Sequence, residues 1–344
     1  MAASYALSGQ EREFSSRAAL TIPIHVFALG ALFTGARAFD WWVLILLYVG
    51  RMFFLTAGYH RYFAHRAFHT SRFMQFLLAA GGCTALQRGP LWWAGHHRRH
   101  HRYSDRPLDV HSPKKGLYWS HYGWVLGRRN DAAPLEYVRD LAAFPELRWL
   151  NTFYFVPALL LLAAVFGAGF WSGGTLHAGL SALFVGFFLS TVVTYQTTYL
   201  VNSSAHIWGS RRFATLDTSR NNFLVALLTH GEGWHNNHHH CPHTANQGFY
   251  WWELDFSYGV LLVLEKLGLV WDLKRPTAAQ LARHRLGPDQ PDYGMLLDQR
   301  ERELSRELGR RLTVEEASKI AREVVASSGP RRRADAGVIE PLGA

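Results

Sequence analysis

Long hydrophobic runs alternate with polar, histidine-rich stretches along the chain. Four runs approach the ~20 apolar residues that a helix needs to cross a bilayer, so we predict membrane spans at residues 18–36, 41–59, 151–170 and 178–201. The alternative, buried helices of a soluble enzyme, does not suit the last two runs, which are too long and too uniformly apolar. The first run contains Pro23 and His25, and the second contains Arg51, which we expect to face protein or to reach the interface.

Charge predicts the orientation of these spans. Short connections join the first to the second and the third to the fourth, whereas residues 59–150 form a long segment with 14 Lys and Arg against 6 Asp and Glu. The positive-inside rule places that segment in the cytoplasm. The N-terminal twenty residues are mixed in charge, which argues against a signal peptide. We therefore predict two membrane hairpins of an all-α protein, with both termini cytoplasmic.

The composition changes near residue 276. We divide the chain into an N-terminal segment (1–17), a main domain (18–275) and a charged tail (276–344), in which residues 300–324 predict a helix and 327–344 a frayed end. In the main domain, the apolar stretch 73–93 is broken by two glycines and is expected at the membrane interface. Residues 223–229 and 258–270 predict short helices.

Composition narrows the class of protein further. Hydrophobic residues make up 49% and aromatic residues 14% of the 344 residues, which excludes a disordered chain. Only Cys83 and Cys241 are present, too few for a disulfide framework or a thiolate metal cluster. The net charge of +10 lies almost wholly in the first 275 residues. It is explained equally by steering of an acidic protein or a phosphate-bearing ligand and by attraction to anionic lipid. We predict no nucleic-acid partner.

Most of the 19 histidines crowd between His60 and His111 and between His206 and His243. They form three boxes with defined spacing: His60 and His65; His97, His100 and His101; His235, His238 and His239. On an α-helix, positions i, i+3 and i+4 share a face, so each H-x-x-H-H box is expected to present three imidazoles to one point. His60 and His65 lie about 140° apart on a regular helix and are expected to approach a metal from different directions. Asn202 and His206 share one face by their i, i+4 spacing.

These nine histidines and Asn202 suffice for two metal ions. Imidazole suits iron, zinc, copper and nickel, and no carboxylates have a matching spacing, which argues against magnesium or calcium. Other histidines are expected to be structural or to support the ligands from outside: His69, His96, His121, His230, His240 and His243. Asp105, Asp109 and His111 either orient ligand imidazoles by hydrogen bonds or cap a turn.

With these boxes, the chain resembles the membrane fatty acyl-CoA desaturases of the stearoyl-CoA desaturase type. The resemblance covers about residues 18–276 and rests on GYHRYFAHRAF (58–68), Trp93 with HHRRHHRYSD (96–105), DVHSPKKGLYWSHYGW (109–124), NSSAHIWGSRRF (202–213), DTSRNN (217–222) and GEGWHNNHHH (231–240).

The resemblance implies four membrane helices and a cytosolic helical cap, formed by residues 60–150 and 202–275, that holds two irons. It assigns the eight box histidines and His206 as iron ligands, and gives Asn202 a water near one iron. The reaction implied is insertion of a cis double bond, at the delta-9 position, into a saturated acyl chain with O₂ as co-substrate. A bacterial inner membrane is the expected location.

Some residues depart from the pattern of the animal members. Where those have acidic and amide residues that hold the acyl-CoA thioester, this chain has Arg88, Gly89, Trp92 and His96, while Gln87 and Trp93 remain as expected substrate contacts. We predict acyl-CoA as the substrate, with acyl carrier protein or an acyl lipid as the open alternatives. Tyr48, twelve residues before His60, is expected at the closed end of an acyl tunnel.

The tail lacks a CxxCH motif, and its single histidine is His284, so we expect no fused haem domain in it. The two electrons are therefore expected from a separate ferredoxin, or from a cytochrome b-type protein with its reductase.

Two other functions remain possible interpretations of the pattern. A membrane di-iron hydroxylase of an alkyl, sterol or carotenoid substrate shares the metal chemistry, although such enzymes commonly space the first box H-x-x-x-H. A metal transporter places ionisable ligands inside its spans, whereas these boxes lie outside them.

Overall fold

The computed structural model describes residues 4–15, 21–287 and 291–327, and nearly all of its regular structure is helical. The α-helices in chain order are α1 Gly9–Arg12, α2 Thr21–Ala28, α3 Ala31–Thr34, α4 Ala38–Phe53, α5 Arg72–Cys83, α6 Pro90–Tyr103, α7 Trp124–Leu126, α8 Arg139–Ala142, α9 Pro145–Thr152, α10 Phe155–Gly173, α11 Leu176–Ser181, α12 Ser190–Ser203, α13 Phe223–Leu228, α14 His235–His240, α15 Phe256–Lys266, α16 Ala278–Ala282, α17 Tyr293–Glu307 and α18 Val314–Ser327.

Segments of other helical geometry extend or link these helices. π-Helical segments occupy Phe54–Ala64, Trp119–Gly123 and Ala182–Leu189, and 3₁₀ turns occupy Pro113–Lys115, Arg128–Asn130, Leu135–Tyr137 and Ser204–His206. Two short strands, β1 His69–Thr70 and β2 Val270–Trp271, pair antiparallel with His69 opposite Trp271. The strand pair ties the end of the first histidine box to the segment that follows α15.

Three continuous helices are long and apolar enough to cross a membrane: Ala38–Ala64, Phe155–Gly173 and Leu176–His206. They correspond to the predicted spans 41–59, 151–170 and 178–201, except that residues 151 and 152 belong to α9. The last two form a hairpin around Gly174, whose φ of +65° suits glycine and whose amide bonds the Phe170 carbonyl.

The first predicted span, 18–36, is shorter in the structure than expected. Its apolar helical part is Thr21–Thr34, fewer than 18 residues, and residues 18–20 lie outside the described residues. A turn at Leu29 and Gly30 separates α2 from α3, and Gly35 ends α3 with a φ of +64°. Four complete spans therefore remain a prediction.

Arg51 faces protein, as one of the two sequence expectations had it. Its side chain is 2% exposed and donates to the Ser190 and Thr191 hydroxyls at 2.8 and 2.9 Å. The guanidinium also lies over the Phe187 ring. These contacts fasten α4 to the helix Leu176–His206 and satisfy part of a charge that is costly in lipid.

The main core packs the π-helical end of α4 against α5 and α6. Tyr59, Phe63, Leu78 and Leu91 are among its buried residues. Pro90 occupies the first turn of α6, where a missing amide hydrogen costs nothing. This packing holds the helices that carry the first two histidine boxes side by side.

The predicted tail helix is two helices in the structure, α17 and α18. Gly309, with a φ of +61°, ends the first. Thr313 and Glu316 then cap the second reciprocally, the Glu316 amide donating to the Thr313 hydroxyl and the Thr313 amide to the Glu316 carboxylate. The sequence contains this T-x-x-E capping pattern, but the charged residues that continue on both sides of it favour a single helix.

Candidate metal centre

Four elements deliver the box histidines to one region. His60 lies on the π-helical end of α4 and His65 directly follows it; α6 carries the second box, α14 carries the third, and His206 ends the helix that begins at Leu176. The side chains of His60, His65 and His206 are at most 4% exposed. All nine predicted histidines are brought together in two clusters.

The five-histidine cluster has ligand nitrogens that all lie within 4.8 Å of one another. Its members are His60, His65, His97, His101 and His238. The Nε2 atom of His65 lies 2.8 Å from that of His97, and the Nε2 atom of His238 lies 2.9 Å from that of His101 and 3.0 Å from that of His60.

The four-histidine cluster satisfies the same criterion. Its members are His100, His206, His235 and His239. The Nε2 atom of His206 lies 3.0 Å from that of His235, and the Nε2 atoms of His100 and His239 are 3.4 Å apart.

The expectation that each H-x-x-H-H box serves one point is wrong. In both boxes the i and i+4 histidines enter one cluster and the i+3 histidine enters the other, so His97 and His101 part from His100. The reason is that the histidine-bearing face of α6, like that of α14, lies against both clusters. Each helix therefore links the two clusters.

The spacing of the first box is explained by π-helical geometry. The amide of His65 donates to the carbonyl of His60 at 3.1 Å, an i to i+5 bond. Such bonds bring residues five apart onto the same side, whereas a regular α-helix separates them by about 140°. The two rings lie 4.8 Å apart at 76°, so they approach the cluster at a wide angle to each other.

Both clusters fit metal ions by distance. Two imidazole nitrogens bound at about 2.1 Å to one ion, with bonds at right angles, lie about 3.0 Å apart. The Nε2 separations of 2.8–3.4 Å match this value. Each cluster therefore could hold a metal ion.

The protonation state of four cluster histidines also fits, while Asp105 raises the pKa of a fifth, His206. Burial lowers the pKa of His97 well below its usual value, and the neighbouring imidazoles His60 and His65 lower it further. The pKa values of His101, His235 and His238 are lowered in the same way, with burial as the largest cause. Neutral imidazoles offer lone pairs to a cation, which protonated ones cannot.

Asp105 and Asp109 orient two members of the four-histidine cluster. The Nδ1 atom of His206 donates to Asp105 Oδ2 at 3.0 Å, and that of His100 to Asp109 Oδ1 at 2.9 Å. Such bonds fix the tautomer that leaves Nε2 free for metal. Burial raises the pKa of Asp109, but the charge and hydrogen bond of His100 and the charge of His111 together lower it to about 2, so the carboxylate stays ionised.

Two further carboxylates do the same and were not identified from the sequence. His239 Nδ1 donates to Asp217 Oδ2 at 2.7 Å, and His60 Nδ1 contacts the Glu232 carboxylate. Burial raises the pKa of Asp217, yet His239 lowers it to well below the usual value. Neither acid has helical spacing to its histidine, so only the motifs DTSRNN and GEGWH pointed to them.

Two amides that hold α14 in place were also missed. The Asn236 side-chain oxygen accepts from the Phe213 backbone amide at 2.8 Å, and the Asn237 side-chain amide donates to the Glu253 carboxylate at 2.9 Å. Both asparagines are fully buried. They explain why the third box reads H-N-N-H-H.

The neighbouring histidines have other partners. His96 is buried and donates to the Ala132 carbonyl at 3.2 Å, while His240 donates to the Gln280 carbonyl at 2.7 Å and stacks on Phe213. Among the described residues, neither belongs to a cluster. His111 stacks on His100 at 4.2 Å and lies near Asp109 without entering either cluster.

Asn202 lines a small inner cavity of about 40 Å³ between the clusters. The cavity wall also includes His60, His97, His100 and His235. This volume exceeds the ~10–15 Å³ that one water molecule requires. The position suits the expected role of Asn202, which remains a proposal.

A larger apolar cavity of about 310 Å³ adjoins the inner one. Trp93 lines both; its ring stacks on His97, and its Nε1 donates to Gln87 at 3.4 Å. Gln87 in turn donates to the Thr198 hydroxyl at 3.2 Å. Arg88 lines the apolar cavity and pairs with Asp131 at 3.1 Å.

Tyr48 lies one helical turn from Met52, which lines the inner cavity. Its hydroxyl donates to the Leu228 carbonyl at 2.5 Å, and its ring contacts His230. Tyr48 lines neither cavity, so its place at a tunnel end remains a prediction.

Comparison with known proteins agrees with this geometry. The family model described as fatty acid desaturase matches residues 39–263. The chain is 38% identical to an sn-2 palmitoyl-lipid 9-desaturase of Nostoc sp. (strain 36), over 62% of this chain and 73% of that protein. It is 35% identical to an acyl-CoA 5-desaturase of Anemone leveillei, over 74% and 77% of the two chains. It is 36% identical to a hex-5-enoyl-[acyl-carrier protein] acetylenase of Moorena producens (strain JHB), over 73% and 84%.

Proposed function

The chain belongs to the fatty acid desaturase family, and we propose that it is a membrane di-iron desaturase that inserts a cis double bond at the delta-9 position of an acyl chain. It is an oxidoreductase that acts on fatty acyl chains. The observation that carries the finer proposal is the pair of histidine clusters bordering an inner cavity that meets an apolar one at Trp93.

The nine clustered histidines would hold two irons. Iron bound there supplies the oxidising power, with O₂ and two electrons, that removal of two hydrogens from an unactivated methylene requires. The neutral imidazoles bind the cations. Asp105, Asp109, Asp217 and Glu232 hold the imidazoles by Nδ1, which keeps the site rigid.

The residues around Trp93 position the acyl chain. Apolar side chains dominate the larger cavity, which suits methylene groups. The chain would run from this cavity past Trp93 and the hydrogen-bonded Gln87 and Thr198, and on into the inner cavity beside Met52 and Leu55. The methylenes nearest the clusters would then be the ones oxidised.

The carrier of the acyl chain is proposed to be CoA, with an acyl lipid as the second candidate. One observation favours the lipid: Phe27, Phe155 and Leu159 line the apolar cavity and are 39–54% exposed on apolar helices, so the cavity wall is continuous with the surface that faces lipid. Among the described residues, Arg88 is the one charged residue lining it, and it is already paired with Asp131, which leaves it less available to a CoA phosphate.

The electrons are proposed to come from a separate carrier, a ferredoxin or a cytochrome b-type protein. A further cavity of about 320 Å³ leads to His101 and His239, one from each cluster, and is lined by Arg102, Arg106 and Arg283. Such basic residues suit an acidic carrier. The site and both chain ends are proposed to lie on the cytoplasmic side of a bacterial inner membrane.

Mass spectrometry of acyl chains from a host that expresses the chain tests this function. We expect a product two mass units below the substrate, dependent on O₂, with a cis bond at carbon 9. Separate analysis of acyl-CoA and glycerolipid pools after a short pulse of labelled fatty acid identifies the carrier by which pool becomes unsaturated first. A product sixteen units heavier would instead support the hydroxylase, and no O₂-dependent product would contradict both.

A further inference from the structure

The C-terminal helix pair α17 and α18 is packed into the molecule. Leu312, between the two helices, forms a parallel bridge with Tyr5, and its amide donates to the Ser4 carbonyl at 2.8 Å. Tyr5 is 1% exposed. Tyr5 shares one apolar cluster with residues of the helix pair and its linker: Leu297, Leu312, Ala317, Ile320 and Ala321.

A buried ion pair joins this helix pair to the rest of the protein. Lys114 Nζ donates to Glu301 Oε2 at 2.7 Å, with the two side chains 3% and 1% exposed. Asp298 lies 3.7 Å from the same ammonium group. Removing one partner of a buried pair is costly because the other charge is left without compensation.

Lys114 belongs to the segment 105–115 that carries Asp105 and Asp109. Within this segment the Ser112 hydroxyl donates to Asp105 at 3.3 Å, and Lys115 Nζ donates to the Asp109 carbonyl at 2.7 Å. Lys114, which Glu301 holds, is therefore five residues from Asp109 and nine from Asp105 in the chain. These two carboxylates in turn hold His100 and His206 of the four-histidine cluster.

A second anchor joins the start of α17 to the segment that carries Asp217. Arg211 donates twice to the Asp292 carboxylate, at 2.6 and 2.8 Å, and once to the Ser219 carbonyl at 2.7 Å. Asp217 lies within this segment and orients His239. Three of the four histidines of that cluster thus depend on carboxylates in segments fastened to α17.

The five-histidine cluster has a different support. Glu232, which contacts His60, accepts from Arg61 at 3.0 Å and from Gln247 at 2.7 Å. These residues belong to α4's π-helical end and to the loop after α14. The two clusters therefore differ in what holds their carboxylates.

We propose that the C-terminal helix pair is a positioning element for the four-histidine cluster, acting through the Lys114–Glu301 and Arg211–Asp292 contacts. Glu301 is a positioning residue that acts through Asp105 and Asp109. The inference rests on the proposed metal centre and adds that metal affinity at one cluster depends on the tail. Replacing Glu301 lowers that affinity about tenfold, at the lower end of the effect of losing a carboxylate that orients a ligand.

The test compares two conservative variants of one helix in the full-length protein. Glu301→Gln removes the nearer of the two carboxylate charges beside Lys114 and leaves Asp298 in place. Glu303→Gln is the matched control, because Glu303 is 39% exposed and its contacts, Arg300 at 3.4 Å and the Gln299 side chain at 2.9 Å, lie on the surface of the same helix. Iron retained against a graded chelator is measured, with circular dichroism to check the fold. We expect one of two irons to be released at about tenfold lower chelator from Glu301→Gln, and no change in the control.

Paired variants identify the cluster that is affected. With His206→Ala, which removes a ligand of the four-histidine cluster, Glu301→Gln should cause no further loss. With His65→Ala it should still release iron. Asp292→Asn provides an independent test at the second anchor, where the carboxylate is 21% exposed and the fold is less at risk.

Three results would overturn the proposal. The first is equal release of both irons from Glu301→Gln and Asp292→Asn, which indicates general destabilisation, and the second is retention of iron by both variants as in the wild type. A wild-type chain that binds no iron would overturn the proposed metal centre and this proposal together, and that outcome is distinguishable because it precedes any variant.

Discussion

His240 directly follows His238 and His239 but turns away from the clusters. Its ring stacks on Phe213, and its Nε2 donates to the Gln280 carbonyl. His238 places its Nε2 within 3.0 Å of two other imidazole nitrogens. Adjacent residues of one helix thus have different partners, and this allows a matched test.

Replacing His238 by Ala should therefore lower bound iron and abolish desaturation, whereas His240→Ala should keep two irons and most activity. The same contrast is expected between His97, in the five-histidine cluster, and His96, which bonds the Ala132 carbonyl. Iron per chain and unsaturated product are measured for all four variants. Equal loss in His238→Ala and His240→Ala would contradict the assignment of ligands.

Asp217 is expected to matter through His239. Asp217→Asn weakens the acceptor for His239 Nδ1, 2.7 Å away, and should reduce iron affinity about 10- to 100-fold. Asp272→Asn is the control, because Asp272 is 70% exposed beside the exposed His69. Chelator competition measures both, and equal iron retention would show that Asp217 does not support the site.

At the scale of elements, the sequence predicted the histidine-bearing helices but not how they share ligands. The spacing H-x-x-H-H correctly placed three histidines on one face, yet their division between clusters depends on how α6 and α14 cross, which no local pattern contains. The π-helical end of α4 was likewise invisible in the sequence, because its i to i+5 bonds follow from tertiary packing. Asp217 and Glu232 lie far along the chain from His239 and His60, the histidines that they contact, so sequence spacing could not indicate these contacts.

Helix α4 also carries the prediction for chain length. Tyr48 lies about 18 Å before His60 along a straight helix, near Met52 of the inner cavity. Tyr48→Ala should shift preference toward longer acyl chains by opening space at that end. Product analysis with a set of chain lengths measures this, and an unchanged profile would remove Tyr48 from the tunnel.

At the scale of the whole molecule, the histidine-bearing ends of two long helices point the same way. His60 and His206 lie near the ends of Ala38–Ala64 and Leu176–His206, and Gly174 lies beyond the opposite end of the second helix. A helix of 31 residues is about 46 Å long, more than the hydrocarbon core of a bilayer. The turn at Gly174 and the metal centre should therefore lie on opposite sides of the membrane.

Reporter fusions test this orientation. A fusion at Gly174 should report the periplasm, and fusions at Lys115 and at Ala344, which lies outside the described residues, should report the cytoplasm. A cytoplasmic signal at Gly174 would contradict the two-hairpin arrangement and the shared side of the histidines.

Iron analysis of the purified full-length chain tests the central claim most directly. The account predicts two irons per chain, both lost on prolonged chelation together with O₂-dependent desaturation, and both recovered when ferrous iron is returned. One iron per chain, or desaturation that persists after complete removal of iron, would contradict a centre built from the five-histidine and four-histidine clusters.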